Sequence, residues 1–153
     1  MGDQNWYGCT VPEDLLYDVG RNVWVRLEDG VATLGMTDVA QTMCGRFVQV
    51  SWKQVGKQVA QGRPLAVIES AKWVGPFPAP FAGEIVAVNS AAFDADVAIA
   101  NRDPYGAGWL VRLRPTNLDQ ERGHLVDGPA AFEEYQRIID ENGIRCFRCE
   151  EEE

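Results

Sequence analysis

Hydrophobic and polar positions first settle into a period of two at Val23. There Val23, Val25 and Leu27 alternate with Trp24, Arg26 and Glu28. That alternation predicts a half-buried strand. Asp29-Gly30 then reads as a hairpin turn, with Val31-Ala32-Thr33-Leu34-Gly35 as the returning strand. Thr37 to Gln41 predicts a short helical turn with Thr37 as its N-cap. Phe47-Val48-Gln49-Val50-Ser51-Trp52 is a further strand, rich in β-branched and aromatic residues.

From Val55 onward, glycine separates short apolar runs. Leu65-Ala66-Val67-Ile68-Glu69, Trp73-Val74, Gly83 to Asn89 and Gly108 to Leu113 all read as strands. Pro76, Pro78 and Pro80 cannot donate to a ladder, so their stretch belongs on an edge or at a bend. Many short strands with Gly and Pro turns predict a mainly β protein, a small barrel or sandwich. The period changes near the end. Phe132, Tyr135 and Ile139 share a helical face, Asp127 and Pro129 supply a start, and Asn142-Gly143 a stop. Residues 1–13 show no clear period and read as a lead-in. Residues 144–153 read as a solvated acidic tail, which leaves 14–143 as one folded domain.

A chain of 153 residues suits one domain of this kind. Lys and Arg number 14 against 23 Asp and Glu, a net charge of −9. That argues against a nucleic-acid or anionic-membrane binder, whose surfaces are basic. The N-terminus has no basic n-region or long apolar run, and Trp6 breaks a myristoylation pattern. A cytoplasmic monomer is expected. Of the four cysteines, Cys9 and Cys44 read as ordinary thiols. Cys146-Phe147-Arg148-Cys149 is a C-x-x-C, a candidate reversible redox pair ahead of half a metal site.

Catalytic constellations are missing. His124 is the one histidine and reads as a surface residue, so neither a triad nor a His-based metal site can be assembled. Lys72, in Glu69-Ser70-Ala71-Lys72-Trp73, is more informative. It falls between two strand-like segments too close for anything but a tight hairpin. A lysine at such a tip can reach the active site of a modifying enzyme, be acylated, and swing a cargo between partners. Most turn lysines are plain solubilising charges.

Several separated motifs, taken in order, resemble the H protein of the glycine cleavage system and its lipoyl-carrying relatives. Trp24-Val25-Arg26 followed by Gly30 to Gln41 is similar to the family's first hairpin and short helix. Glu69-Ser70-Ala71-Lys72 resembles its lipoylation hairpin, and Ala79 to Asn89 the strand that follows. Asn101-Arg102-Asp103-Pro104-Tyr105-Gly106-Ala107-Gly108-Trp109-Leu110 is nearly its signature turn. The match runs from about Leu15 to the C-terminal helix. It implies a lipoyl-domain-like barrel-sandwich hybrid with short helices and a C-terminal helix. It also implies lipoic acid in amide linkage to Lys72, on a hairpin shaped by Glu69, Ser70, Ala71 and Trp73. Such a protein is a carrier and not an enzyme, and no metal is implied. Glu69 would belong to the surface read by a lipoate-protein ligase or lipoyl transferase, although simple hairpin polarity accounts for it equally. Biotin carriers share the architecture, but their lysine is typically flanked by methionines, whereas here the flanks are Ala71 and Trp73.

Two departures bear on cargo. Glycine-cleavage H proteins usually carry a His-Glu pair where this chain has Asn22 and Val23. Small residues usually follow the lysine, where this chain has Trp73 to Pro78. Glu69 to Pro78 is more similar to the H-protein-like lipoate-binding proteins of bacterial sulfur oxidation. The reading preferred from sequence is therefore a carrier of sulfur intermediates. Its partners would be a heterodisulfide-reductase-like complex and dihydrolipoamide dehydrogenase. The alternative is an H protein carrying an aminomethyl group between glycine decarboxylase and aminomethyltransferase. A second alternative is an unmodified β scaffold that binds a partner.

Overall fold

The computed structural model describes residues 3–148. The alternation at Val23 becomes β4 of a twelve-strand set, and the strands before it are the first surprise. Residues 3–12 form a hairpin, β1 (Asp3–Trp6) and β2 (Cys9–Pro12), where an irregular lead-in was expected. Its apolar contribution is concentrated in Cys9 and Val11, both buried, so β1 shows too little patterning to announce itself. β3 (Leu16–Asp18) and a 3-10 turn (Val19–Arg21) lead into β4 (Val23–Glu28) and β5 (Val31–Met36). β4 and β5 pair antiparallel across the Asp29-Gly30 turn, as the alternation predicts.

Thr37 caps α1 (Asp38–Cys44), its side chain accepting from the Ala40 N–H. β6 (Phe47–Trp52), β7 (Gln58–Val59), β8 (Pro64–Ser70), β9 (Val74–Pro78) and β10 (Gly83–Val88) follow. Two short helices come next, α2 (Ser90–Ala95) and α3 (Ile99–Arg102). Neither has a side-chain N-cap bond, and α3, with Ala98 at its N-cap, also lacks the usual start residue. β11 (Val111–Pro115), α4 (Leu118–Glu121), β12 (Val126–Asp127) and α5 (Gly128–Asn142) complete the order. The last long strand starts at Val111, not Gly108, because Gly108 is still bonded into the turn through the Asp103 carbonyl.

A seven-stranded sheet runs β12-β3-β4-β5-β11-β10-β7, and a three-stranded sheet runs β6-β8-β9. β9 is an edge, which is where prolines were expected: Pro76 and Pro78 sit on it. The main core joins the two sheets, with Val23, Val25, Leu34, Ile85 and Leu113 meeting Phe47, Leu65, Ile68 and Phe77. A second core lies on the outer face of the large sheet. There Cys9, Val11, Tyr17 and Trp24 pack under Ala131, Tyr135 and Ile139 of α5.

This second core explains a departure from simple alternation. Trp24, on the face that reads as polar, is fully buried, because α5 and the first hairpin cover it. Its indole N–H donates to the Pro104 carbonyl at 2.9 Å. Gly35 lies opposite Trp24 in the ladder, and a Cβ there would fall 2.5 Å from the indole. α5 starts at Asp127, whose carboxylate accepts from the Ala130 N–H at 2.9 Å, a cap worth about 1 kcal/mol. It stops at Gly143, in the left-handed region.

The cysteines need correction. Cys146 is bonded to Cys9, 137 residues away, with Cα atoms 4.8 Å apart. Cys9 is therefore not an ordinary thiol, and Cys146 is not paired with Cys149, which lies outside the described residues. The cause is position: the chain after α5 runs back along the first hairpin, with the Cys146 N–H on the Tyr7 carbonyl at 3.1 Å. Residues 144–148 are likewise no solvated tail, since Ile144 is buried and Arg148 meets the buried Asp38 carboxylate. Cys44 is free and buried, as an ordinary thiol would be.

One consequence is testable. Gly35→Ala should destabilise the fold by about 1–3 kcal/mol, because the buried indole of Trp24 has nowhere to move. Urea denaturation of the two chains measures the difference.

Candidate functional site

Lys72 stands on the turn between β8 and β9. The Ser70 N–H donates to the Trp73 carbonyl at 2.7 Å, which leaves Ala71 and Lys72 as the two central turn residues. The same serine fastens the turn from inside. Its hydroxyl donates to the Cys44 carbonyl at 2.6 Å and accepts from the N–H groups of Lys72 and Trp73. Ser70 is buried, whereas Glu69, Ala71, Lys72 and Trp73 are exposed. The five residues anticipated around the site thus do form one hairpin tip, with Ser70 as its anchor.

The tip rests on the short connection between α1 and β6. The Ala71 N–H donates to the Arg46 carbonyl at 3.0 Å. The methylene stem of Lys72 runs over Gly45, where a Cβ would stand 3.2 Å from Cε. Gly45 has φ +86, so the position suits glycine on two counts. The connection is itself held by Asn101, which is 1% exposed. Its carboxamide accepts from the Phe47 N–H at 2.8 Å and donates to the Gly45 carbonyl at 2.9 Å and to Gln41 Oε1 at 3.1 Å. Tyr105, from the same motif, receives the Asp38 N–H at the head of α1.

Beside the lysine lies a cleft of about 550 Å³. Met36, Ala40, Met43 and Cys44 form one wall, Trp73 and Phe77 another, and Arg21 and Asn22 the far end. Among the described residues, Arg21 and Lys72 are its only charged lining side chains, and no carboxylate lines it. Asp18 pins Arg21 at 2.8 Å from a buried position. His124 Nε2 lies 3.1 Å from the same carboxylate, so this histidine is part-buried against Asp18 and not a plain surface residue. Asn22 accepts from the Tyr135 hydroxyl at 2.9 Å, while Val23 is buried in the main core and does not line the cleft. Burial pushes the Cys44 thiol above its ordinary pKa; the Ser70 hydrogen bond and then the Lys72 charge act in the opposite direction.

Of the cleft residues, Asn22, Lys72 and the stretch from Trp73 to Pro78 were singled out from sequence as bearing on the site, and Gly20, Arg21, Met36, Ala40, Met43 and Cys44 were not. The lining comes from the turn after β3, the end of β5, α1 and β9, and only folding brings these together. Among the described residues no group of three or more His, Cys, Asp or Glu side chains could hold a metal ion. No helix among them is long and apolar enough to cross a membrane.

An exposed lysine on a hairpin tip of a two-sheet β domain suits a protein that presents a covalently attached group. Comparison with known proteins says which kind. The sequence model of the family described as Glycine cleavage H-protein matches residues 15–140. Glycine cleavage system H protein 3 of Aquifex aeolicus is 46% identical over 148 residues, covering 94% of this chain and 91% of that protein. Probable glycine cleavage system H protein 2 of Saccharolobus solfataricus is 43% identical over 143 residues, covering 92% and 95%. The crystal structure of a glycine cleavage system H protein from Mycobacterium marinum superposes with a TM-score of 0.69 at 34% identity, covering 88% of this chain and 100% of that one. The chain belongs to the glycine cleavage H-protein family. Its members are non-enzymatic carriers with lipoate attached covalently to a lysine. The mainly β, lipoyl-domain-like fold with a C-terminal helix is the one expected.

Two measurements follow. Ser70→Ala strips a partner from two N–H groups and one carbonyl. It should cost about 1–3 kcal/mol and slow lipoate transfer to the chain several-fold, as followed by intact mass. Acylating Lys72 removes the charge that opposes the rise at Cys44. The pH midpoint for Cys44 alkylation should therefore move upward in the lipoylated protein relative to the unmodified one.

Proposed function

We propose that lipoate is attached to Lys72, and that this chain is a carrier of the glycine cleavage type, moving an aminomethyl group between glycine decarboxylase and aminomethyltransferase. The observation that carries the attachment site is the tip geometry. Lys72 is exposed, its backbone is locked by Ser70, and its stem is aimed along Gly45 beside an apolar cleft. The residues fit the group. Ser70 and Arg46 hold the tip for a modifying enzyme, and Met36, Met43, Trp73 and Phe77 offer the arm an apolar surface. Lipoate would supply the dithiolane, with its redox and group-transfer chemistry, while the protein supplies presentation and docking. Dihydrolipoamide dehydrogenase and a lipoate-protein ligase or lipoyl transferase complete the partners. The cargo assignment has the support of the relatives, all of those named above being glycine cleavage H proteins.

One observation favours the second reading, a sulfur-carrying arm serving a heterodisulfide-reductase-like complex. Among the described residues the cleft presents a guanidinium and no carboxylate, so an ammonium cargo finds no counter-charge in them, whereas a neutral or anionic sulfur load meets no repulsion. Glu69 remains exposed on β8 next to the tip, where a modifying enzyme could read it.

Incubation with a lipoate ligase should add one lipoyl group to the chain and none to Lys72→Arg, by intact mass. An adduct that survives the substitution would defeat the site assignment. The modified chain should then support glycine-dependent turnover with the other purified components. A lipoylated chain that fails there moves the cargo to the second reading.

A further inference from the structure

We propose that Arg148 is a positioning residue for the cleft beside Lys72, and that the Cys9–Cys146 disulfide is the latch that keeps it in place. The inference rests on the reading above, in which that cleft receives the acylated Lys72.

α1 has seven residues, two turns, too short to hold itself as a helix. Its place is set by its neighbours, β2 and α3 among them, and two of its sides bear on the cleft. Ala40, Met43 and Cys44 face the cleft. Asp38, Gln41 and Thr42 face the segment after α5. On that side the Gln41 amide donates to the Phe147 carbonyl at 2.9 Å, and the Arg148 guanidinium spans both Asp38 carboxylate oxygens at 3.3 Å.

Asp38 makes this contact matter. Its side chain is fully buried, and it already accepts from the Thr10 N–H at 2.9 Å and Gln41 Nε2 at 2.8 Å. Those are neutral donors. Arg148 is the cation that the described residues bring to it, and a buried carboxylate without one is strongly unfavourable. Removing Arg148 obliges α1 to carry Asp38 toward water, and the cleft wall is the same two turns.

Arg148 sits two residues beyond Cys146, so the disulfide fixes its reach. Cys146 is half-buried and Cys9 fully buried, so an incoming thiolate meets Cys146 first. With a dithiol as reductant, that thiolate bonds to the Cys146 sulfur and Cys9 leaves with the electron pair and takes up a proton. The second thiol then displaces Cys146, which is protonated in turn, and the dithiol ends as its own disulfide. Two electrons and two protons pass to the protein, and the segment carrying Arg148 is released. The thiol state of one end of the molecule thereby sets how firmly the cleft holds its arm.

The chain has three methionines, and two of them, Met36 and Met43, line the cleft. Methyl resonances of 13C-methionine protein therefore report on the cleft with little overlap. The arm is supplied as octanoyl on Lys72, which reductants do not change. Octanoylation of the oxidised chain should shift the Met36 and Met43 methyls. In Arg148→Gln and in Cys146→Ser the shift should fall to less than half, while Arg148→Lys keeps most of it. Reducing the octanoylated wild-type chain with a phosphine should reproduce Cys146→Ser, and this comparison decides the matter if Arg148→Gln does not fold. Full shifts in Arg148→Gln and in the reduced chain, even with a lower Tm, would overturn the proposal. No shift in the oxidised wild-type chain would instead show that the cleft does not receive the arm, and would end both readings of it.

Discussion

The site depends on a single buried carboxamide. Asn101 takes the Phe47 N–H and gives to the Gly45 carbonyl, and so fixes both ends of a connection two residues long between α1 and β6. On that connection everything near Lys72 is built. Cys44 supplies the carbonyl that Ser70 grips, Gly45 the bare surface under the lysine stem, and Arg46 the carbonyl that receives Ala71. A side chain with both a donor and an acceptor is required, since one end must satisfy an N–H and the other a C=O. Leucine of similar size would leave both groups buried and unpaired, and aspartate would leave the Gly45 carbonyl so.

A second constraint is the covering of the large sheet on both faces. One face meets the small sheet, and the other meets α5 and the first hairpin. That arrangement is why β4 buries three consecutive residues, Val23, Trp24 and Val25, instead of alternating. It is also why the first and last parts of the chain lie side by side, close enough for Cys9 and Cys146 to bond.

Much of this was legible in the residues. The β4–β5 hairpin, Thr37 and Asp127 as caps, the stop at Gly143, the edge prolines and the tip lysine all follow from local chemistry. The family was legible too, because its motifs recur in order from about Leu15 onward. What could not be read was whatever two distant segments make together. The bond between Cys9 and Cys146 spans 137 residues, and the neighbouring Cys149 drew attention to the wrong partner. The hairpin of residues 3–12 looked irregular because it is buried against α1 and α5, which no local window contains. The cleft draws on four separate elements, so its lack of carboxylates could be seen only once they were assembled. Asn101 stood in plain view within a recognised motif, but its partners at Gln41, Gly45 and Phe47 are more than fifty residues away.

The prolines of β9 have a use beyond marking a bend. β9 is one of the two edges of the small sheet, and it begins two residues after Lys72. Any enzyme that works on an arm at the tip must come close to that edge. An unprotected strand there would offer a row of free N–H groups to a partner's strand, and the two would zip together and part slowly. Pro76 and Pro78 have no N–H to give. Contact beside the tip is thereby kept to side chains and shape, which suits a protein that must leave each partner as readily as it meets it.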